Sequence, residues 1–302
     1  MAEEKKIAKK SQSNRLIRFA KRRVTQKMDS KVGRALFGNT AGLQNNLKGK
    51  VSLMKAGSSI KSKAAQELIN NGYYPLGIPF DKVLIQELKN KVNQMMEDDE
   101  YSFVRTEYKG KVYSRGIYHA HENFPEVGKL LTPEILKIVN ECYNGKFKVR
   151  GFFLWRNYYV PPEIVSETET FSDRWHCDGR PVDIYKLFVN LSDVTEDDGP
   201  FHIQSRQRTK ELIKRGFLGR GNYNLPDNVV NDPKHVLKAT GPAGTALLCN
   251  AELCLHKAGI PVPNHSRDII EFKFITSDKP FSENWMEHLE IDELEERMSG
   301  KE

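Results

Sequence analysis

Between Asn14 and Leu36 an apolar residue returns at every fourth position: Leu16, Ala20, Val24, Met28, Val32 and Leu36. Arg15, Arg18, Lys21, Arg22, Arg23, Lys27 and Lys31 fill the other faces, so the spacing predicts a basic amphipathic helix ending near Gly38-Asn39. Residues 1–12 are polar and charged and read as disordered; residues 40–63, rich in Gly, Asn, Ser and Lys, read as a linker. From Ala64 the pattern becomes that of a folded body. A short helix over Ala64–Asn71 is stopped by Gly72, and Tyr73-Tyr74-Pro75-Leu76 reads as a strand. Asp81 caps a helix running to about Met96, with Val83, Leu84, Leu88, Val92 and Met95 on one side. Thr132-Pro133-Glu134 opens a third helix and Gly145 ends it.

Beyond Lys146 the pattern is that of strands. Phe147–Val160, Asp183–Leu191, Gly199–Gln204, Thr245–Cys249, Cys254–Ile260 and Arg267–Ile275 are rich in β-branched and aromatic residues and separated by Gly, Asp and Pro turns. Helices first and strands later predict an α+β body, mainly β at its core, built as an antiparallel sandwich or barrel. Residues 206–236 read as a polar insertion with a helical start, and Ser282–Glu302 as an acidic, helix-prone tail. The chain thus divides into a basic arm (1–63), a body (64–281) and a C-terminal tail (282–302).

Charge sharpens that division. The 302-residue chain has a formal charge of +7. Residues 1–65 hold 17 Lys and Arg against three acids (Glu3, Glu4 and Asp29), while residues 66–302 carry seven more acids than bases. The arm suits an anionic membrane surface, an acidic partner or the acidic body itself. Nucleic acid fits less well, because Phe19 is the one aromatic before Phe37 and offers little for stacking on bases. Four cysteines without CxxC pairing, and a charged start without an apolar h-region, point to a reducing, cytoplasmic setting. Apolar runs such as Phe152–Trp155 and Ala246–Cys249 fall far short of the ~18 residues of a membrane span.

The strongest chemical signal is Trp175-His176-Cys177-Asp178. In an extended segment His176 and Asp178 point the same way, so both can ligate one ion, while Cys177 points away. Two histidines and one carboxylate on one face of a metal leave three positions open, the donor set of non-haem Fe(II) oxygenases. His256, in an apolar strand-like run, is the candidate third ligand. Arg267 follows eleven residues later, past Pro261-Val262-Pro263-Asn264. If the two strands form a hairpin centred near residues 261–262, His256 and Arg267 are cross-strand neighbours. The guanidinium is then a two-pronged donor beside the metal, suited to the far carboxylate of a dicarboxylate such as 2-oxoglutarate.

The order of HxD, VNLSDVTEDDGPFHI, GPAGTALLCNAELCLHKAG and then Arg267 resembles the phytanoyl-CoA dioxygenase-like family, over roughly Ala64 to Thr276. The resemblance implies a double-stranded β-helix (jelly-roll, cupin-like) with the N-terminal helices packed on one sheet. It implies Fe(II), 2-oxoglutarate and O2 as cofactor and cosubstrates, and hydroxylation of a small-molecule or carrier-linked metabolite with release of succinate and CO2. It makes His176, Asp178 and His256 the iron ligands and Arg267 the anchor of the distal carboxylate. Asn157, sharing a strand face with Trp155, becomes a donor to the 2-oxoglutarate carboxylate near iron. Lys186, sharing a face with Phe188, becomes a pocket residue for the cosubstrate. The chain departs from the family after Asp198-Gly199-Pro200, where Gln204-Ser205-Arg206-Gln207 keeps a serine but loses a histidine. Asp178 is present, which argues against halogenation, where that carboxylate makes way for halide.

Other features read more plainly. His119 and His121 lack a further ligand at suitable spacing and read as loop or surface histidines; His202 reads as a buried, hydrogen-bonded one. Gly219-Arg220-Gly221 lacks the strand-turn-helix context of a nucleotide site. The loops Arg105–Glu122 and Arg206–His235 border the expected pocket and name no substrate. The competing reading is a non-catalytic jelly-roll binding or regulatory protein whose basic arm contacts an anionic partner.

Overall fold

The computed structural model describes residues 61–178, 183–220 and 225–289; the basic helix expected over residues 14–37 and most of the acidic tail lie outside them. The described chain opens with helix α1 (Lys63–Asn71), where the Ser62 hydroxyl accepts the Ala65 amide. It stops because Gly72 adopts φ +83°, and a Cβ there would sit 2.1 Å from Cys254 Sγ. Helix α2 (Lys82–Met95) starts where Asp81 accepts the amides of Val83 and Leu84. A single turn, α3 (Ala120–Asn123), precedes α4 (Pro133–Tyr143), which has Thr132 as its cap and proline at its first position.

Ten strands follow the chain among the described residues: β1 (Tyr73–Gly77), β2 (Ser102–Tyr108), β3 (Lys111–Ile117), β4 (Phe147–Tyr158), β5 (Tyr185–Asn190), β6 (Phe201–Gln204), β7 (Val236–Lys238), β8 (Ala246–Cys249), β9 (His256–Ala258) and β10 (Ser266–Thr276). They form a seven-stranded antiparallel sheet, ordered β1-β8-β5-β10-β4-β3-β2, and a three-stranded sheet, ordered β7-β6-β9. The six strands expected beyond Lys146 are all present. The whole is a mainly β, α+β double-stranded β-helix.

Alternation divides the large sheet between two environments. Phe152, Leu154, Leu187, Ile270 and Phe272 face α1, α2 and α4 and join Leu68, Leu88 and Val139 in the main core. Phe188, Leu247 and Ile269 face the other way, toward Phe201 and Ile203 of the small sheet. On the helix side Arg156 and Asp268 stand opposite each other in the β4–β10 register. They form a two-pronged pair at 2.6 and 2.8 Å, to which Asn93 of α2 and Glu97 just after it add further contacts. The sheet is thereby tied to the end of α2.

Two expectations are corrected. The stretch from Arg105, read as a loop, is largely the β2–β3 hairpin, closed by Lys109 and Gly110 at φ +52° and +73°, the left-handed pair a two-residue turn requires. The larger correction concerns the hairpin joining His256 to Arg267. β9 pairs with β6, and β10 lies between β5 and β4 in the other sheet. After β9 the chain stays bound to the preceding turn, with Gly259 donating to the Pro200 carbonyl and Val262 to that of Asp197. Pro261 and Pro263 have no amide to continue a ladder. Gly199 passes so close to this segment that a Cβ on it would lie 2.5 Å from the Pro261 nitrogen. The chain crosses between sheets there, so His256 and Arg267 approach the same cavity from opposite walls.

Candidate metal centre

His176 lies in a short extended segment paired with β9, and His256 opens β9. The two residues exchange both backbone hydrogen bonds, at 3.1 and 2.9 Å, so their side chains leave the small sheet on the same side. Their ring centroids are 4.2 Å apart. Asp178, two residues along, brings Oδ1 to 3.4 Å from Nε2 of each histidine. Among the described residues these three are the one group of His, Cys, Asp and Glu side chains whose ligand atoms all lie within 4.8 Å of one another.

The donor chemistry fits a metal ion. His176 Nδ1 donates to the Arg174 carbonyl at 2.7 Å, and His256 Nδ1 to that of Cys254 at 3.0 Å. With the proton on Nδ1, each neutral ring turns an Nε2 lone pair toward the carboxylate oxygen. Three acceptors then face one another with no hydrogen between them, and a bound cation relieves that. Burial, opposed by Asp178, lowers the His176 pKa below its ordinary value, which keeps the ring neutral and ready to ligate.

Asp178 is held from behind. Lys186 on β5 donates to its Oδ2 at 2.6 Å and lies 3.3 Å from Glu271 of β10. Burial works to lower the Lys186 ammonium pKa, but Glu271 and Asp178 outweigh it and hold the lysine charged. Burial also works against the Asp178 carboxylate, and Lys186 and the two histidines overcome it.

A cavity of about 260 Å³ opens from these ligands between the two sheets. Its large-sheet wall follows from alternation: Arg267, Ile269, Glu271 and Lys273 from β10, and Asn157, Trp155 and Phe153 from β4. Asn157 and Arg267 are cross-strand partners. The Ser114 hydroxyl donates to Asn157 Oδ1 at 2.9 Å, which leaves the amide NH2 as the remaining donor of that side chain. Arg267, 1% exposed, donates to the Gly199 carbonyl, and its Nε has no hydrogen-bond partner. Burial pulls its guanidinium down to about 9, with Asp198 the opposing charge. Such a group matches an incoming carboxylate.

All six residues singled out from the sequence line this cavity. The reading passed over Glu271 and Lys273; charges at alternate positions of an otherwise apolar strand, as in Arg267-Asp-Ile-Ile-Glu-Phe-Lys, were their signal. His119 and His121 lie 6.4 Å apart, ring to ring, and among the described residues they form no three-residue metal-binding group, although Glu122 lies 3.6 Å from His121. Burial pushes the Cys177 thiol up, away from the thiolate form.

No protein-family model matches the chain, and no curated protein matches it by sequence. Solved structures share its fold. The non-haem α-ketoglutarate-dependent carbocyclase SnoK from nogalamycin biosynthesis superposes with a TM-score of 0.51 at 14% identity, covering 72% of this chain and 85% of that one. The epimerase SnoN, solved with Fe3+, α-ketoglutarate and nogalamycin RO, gives 0.50 at 12% identity, with 71% and 82% covered. EctD from S. alaskensis, solved with 2-oxoglutarate and 5-hydroxyectoine, gives 0.50 at 13% identity, with 74% and 80% covered. The likeness establishes the fold these enzymes use; the His-Asp-His cluster is this chain's own. No helix among the described residues is long and apolar enough to cross a membrane.

Proposed function

We propose that this protein is an Fe(II)/2-oxoglutarate-dependent oxygenase that hydroxylates a small molecule, in the manner of the phytanoyl-CoA dioxygenase-like proteins its motif order resembles. The observation that carries the reading is the convergence of His176, Asp178 and His256 in a cavity whose opposite wall presents Arg267. When bound, iron and 2-oxoglutarate together supply the oxidising power for O2-dependent attack on a C–H bond, with release of succinate and CO2.

The chain's own residues then have distinct tasks. His176 and His256, oriented by carbonyls 174 and 254, offer Nε2. Asp178 offers Oδ1 while Lys186 occupies Oδ2, which keeps the carboxylate to one metal-facing oxygen. Arg267 receives the distal carboxylate, directed by the Gly199 carbonyl, and the Asn157 amide donates to the carboxylate nearer the metal. Phe188, Ile269 and Phe201 surround the site with apolar surface and exclude water.

Anaerobic addition of Fe(II) and 2-oxoglutarate tests this directly. The expected result is a weak visible charge-transfer band in the wild type that His176→Ala abolishes. No band, together with no succinate formed across a substrate panel, would favour the non-catalytic binding protein instead.

A further inference from the structure

The sheet behind the candidate ligands carries a charge arrangement that ligation alone does not require. Lys186 of β5 and Lys273 of β10 are cross-strand partners on the cavity face, and like charges set opposite one another in a sheet repel. Glu271, two residues before Lys273 and diagonal to Lys186 on the same face, answers that repulsion. Its Oε1 lies 3.3 Å from the Lys186 ammonium and 3.4 Å from that of Lys273. Lys273 also rests 4.1 Å from the Phe153 ring centroid. Lys186 reaches the other way, to Asp178 Oδ2 at 2.6 Å. Its side chain therefore spans two carboxylates, one of them a candidate metal ligand. Burial works to strip the Lys186 proton; among the charges that oppose it Glu271 comes first, then Asp178 and, more weakly, Glu252.

An ammonium set against a ligand carboxylate has two opposed consequences. It occupies Oδ2, so a single oxygen of Asp178 is left to face a cation. It also places a positive charge beside the ligand set, and in a buried site that charge repels an incoming cation strongly. Glu271 removes the second consequence without disturbing the first. Asp178, Lys186 and Glu271 together, two carboxylates and one ammonium, keep one net negative charge. Without the Glu271 charge Lys186 would neutralise the ligand carboxylate; without Lys186, two carboxylates would stand side by side and both Asp178 oxygens would be free. Partners around a metal site that fix the orientation of a ligand and the charge it presents tune both affinity and open positions.

We propose that Lys186 and Glu271 are a positioning pair for the metal: Lys186 restricts Asp178 to one ligating oxygen and so keeps a position open for 2-oxoglutarate, and Glu271 cancels the repulsion the lysine would exert on the ion. The proposal rests on the oxygenase reading and gives Lys186 a task other than contact with the cosubstrate. The full chain is titrated calorimetrically with Ni(II), and the Ni(II)-loaded protein is then titrated with 2-oxoglutarate. Glu271→Gln keeps the shape and leaves the lysine charge uncancelled, so Ni(II) affinity should fall about tenfold. Lys186→Met should act in the opposite sense, raising Ni(II) affinity about tenfold while 2-oxoglutarate affinity falls by about the same factor. The freed Oδ2 and the added negative charge both oppose the cosubstrate. A merely structural role would weaken both ligands in both variants. Should Lys186→Met fail to fold around two unpaired carboxylates, the double variant Lys186→Met with Glu271→Gln removes both charges. Its Ni(II) affinity should stay within about threefold of wild type, with 2-oxoglutarate bound about fivefold or more weakly. Ni(II) affinity unchanged by Glu271→Gln, or 2-oxoglutarate affinity unchanged in the double variant, would overturn the role of the pair. Failure of the wild type to bind Ni(II) would instead overturn the oxygenase reading beneath it.

Discussion

Arg267, proposed above to anchor a carboxylate, is a residue whose burial works against stability. Its guanidinium is buried, its Nε lacks an acceptor, and its protein contact is a neutral carbonyl. A buried charge with so little compensation is costly until a carboxylate arrives. Arg267→Met should therefore raise the unfolding free energy of the ligand-free protein by about 1–2 kcal/mol while 2-oxoglutarate affinity falls at least tenfold. Paired thermal melts and titrations check both. His202 supplies a pH effect of the opposite kind. Burial first, then Lys257 and Lys238, hold it down to about 3, and its Nδ1 has no partner. Above about pH 6.5 the ring is neutral in both the folded and unfolded chain. Below that, only the unfolded chain takes the proton, so stability is lost as pH falls toward 3, by up to about 1.4 kcal/mol per pH unit. His202→Phe should flatten the acid limb of the stability profile by that slope, read from denaturant midpoints between pH 7 and 4.

Elements are joined by a few polar clamps set in apolar packing. The Arg156–Asp268 pair links β4, β10 and the end of α2, and both residues are buried. Asp268→Ala leaves a buried guanidinium with its main counter-charge gone and should cost about 3 kcal/mol. A double replacement, Arg156→Met with Asp268→Leu, should recover most of that loss, as chemical denaturation of the three proteins would show. The helix caps and the strands beyond Lys146 were readable in advance because they are local. Asp81, Thr132 and Gly72 act on amides or dihedrals within three residues, and β-branched alternation marks a strand wherever it pairs. The β2–β3 hairpin was missed because Ser102–Tyr108 mixes charged and apolar residues without clean alternation; its Lys109-Gly110 turn was the signal to weigh more heavily.

For the molecule as a whole, a metal ion bound at His176, Asp178 and His256, as proposed, would be a cross-link between the 171–178 segment and β9. Binding to the folded state alone stabilises it by about 2.7 kcal/mol at a hundredfold excess over Kd. That corresponds to a rise of roughly 5–10 °C in Tm for a domain of this size. Ni(II) or Fe(II) should produce this shift in the wild type, a chelator should reverse it, and His176→Ala should show none.

The candidate ligands, the candidate arginine and most elements could be picked out from the amino-acid order alone, because each depends on side-chain chemistry at short spacing or on period-two alternation. Which strands lie side by side does not, since β9 and β10 carry compatible patterns for a hairpin they never make. Gly199, Gly259 and two prolines direct the chain across to the other sheet, and that crossing is a matter of backbone approach between segments some sixty residues apart. The contacts of Asp178 with Lys186 and with His256 depend on the same closure. Cross-strand register and the gap between sheets set those distances, and neither exists until the two sheets face each other.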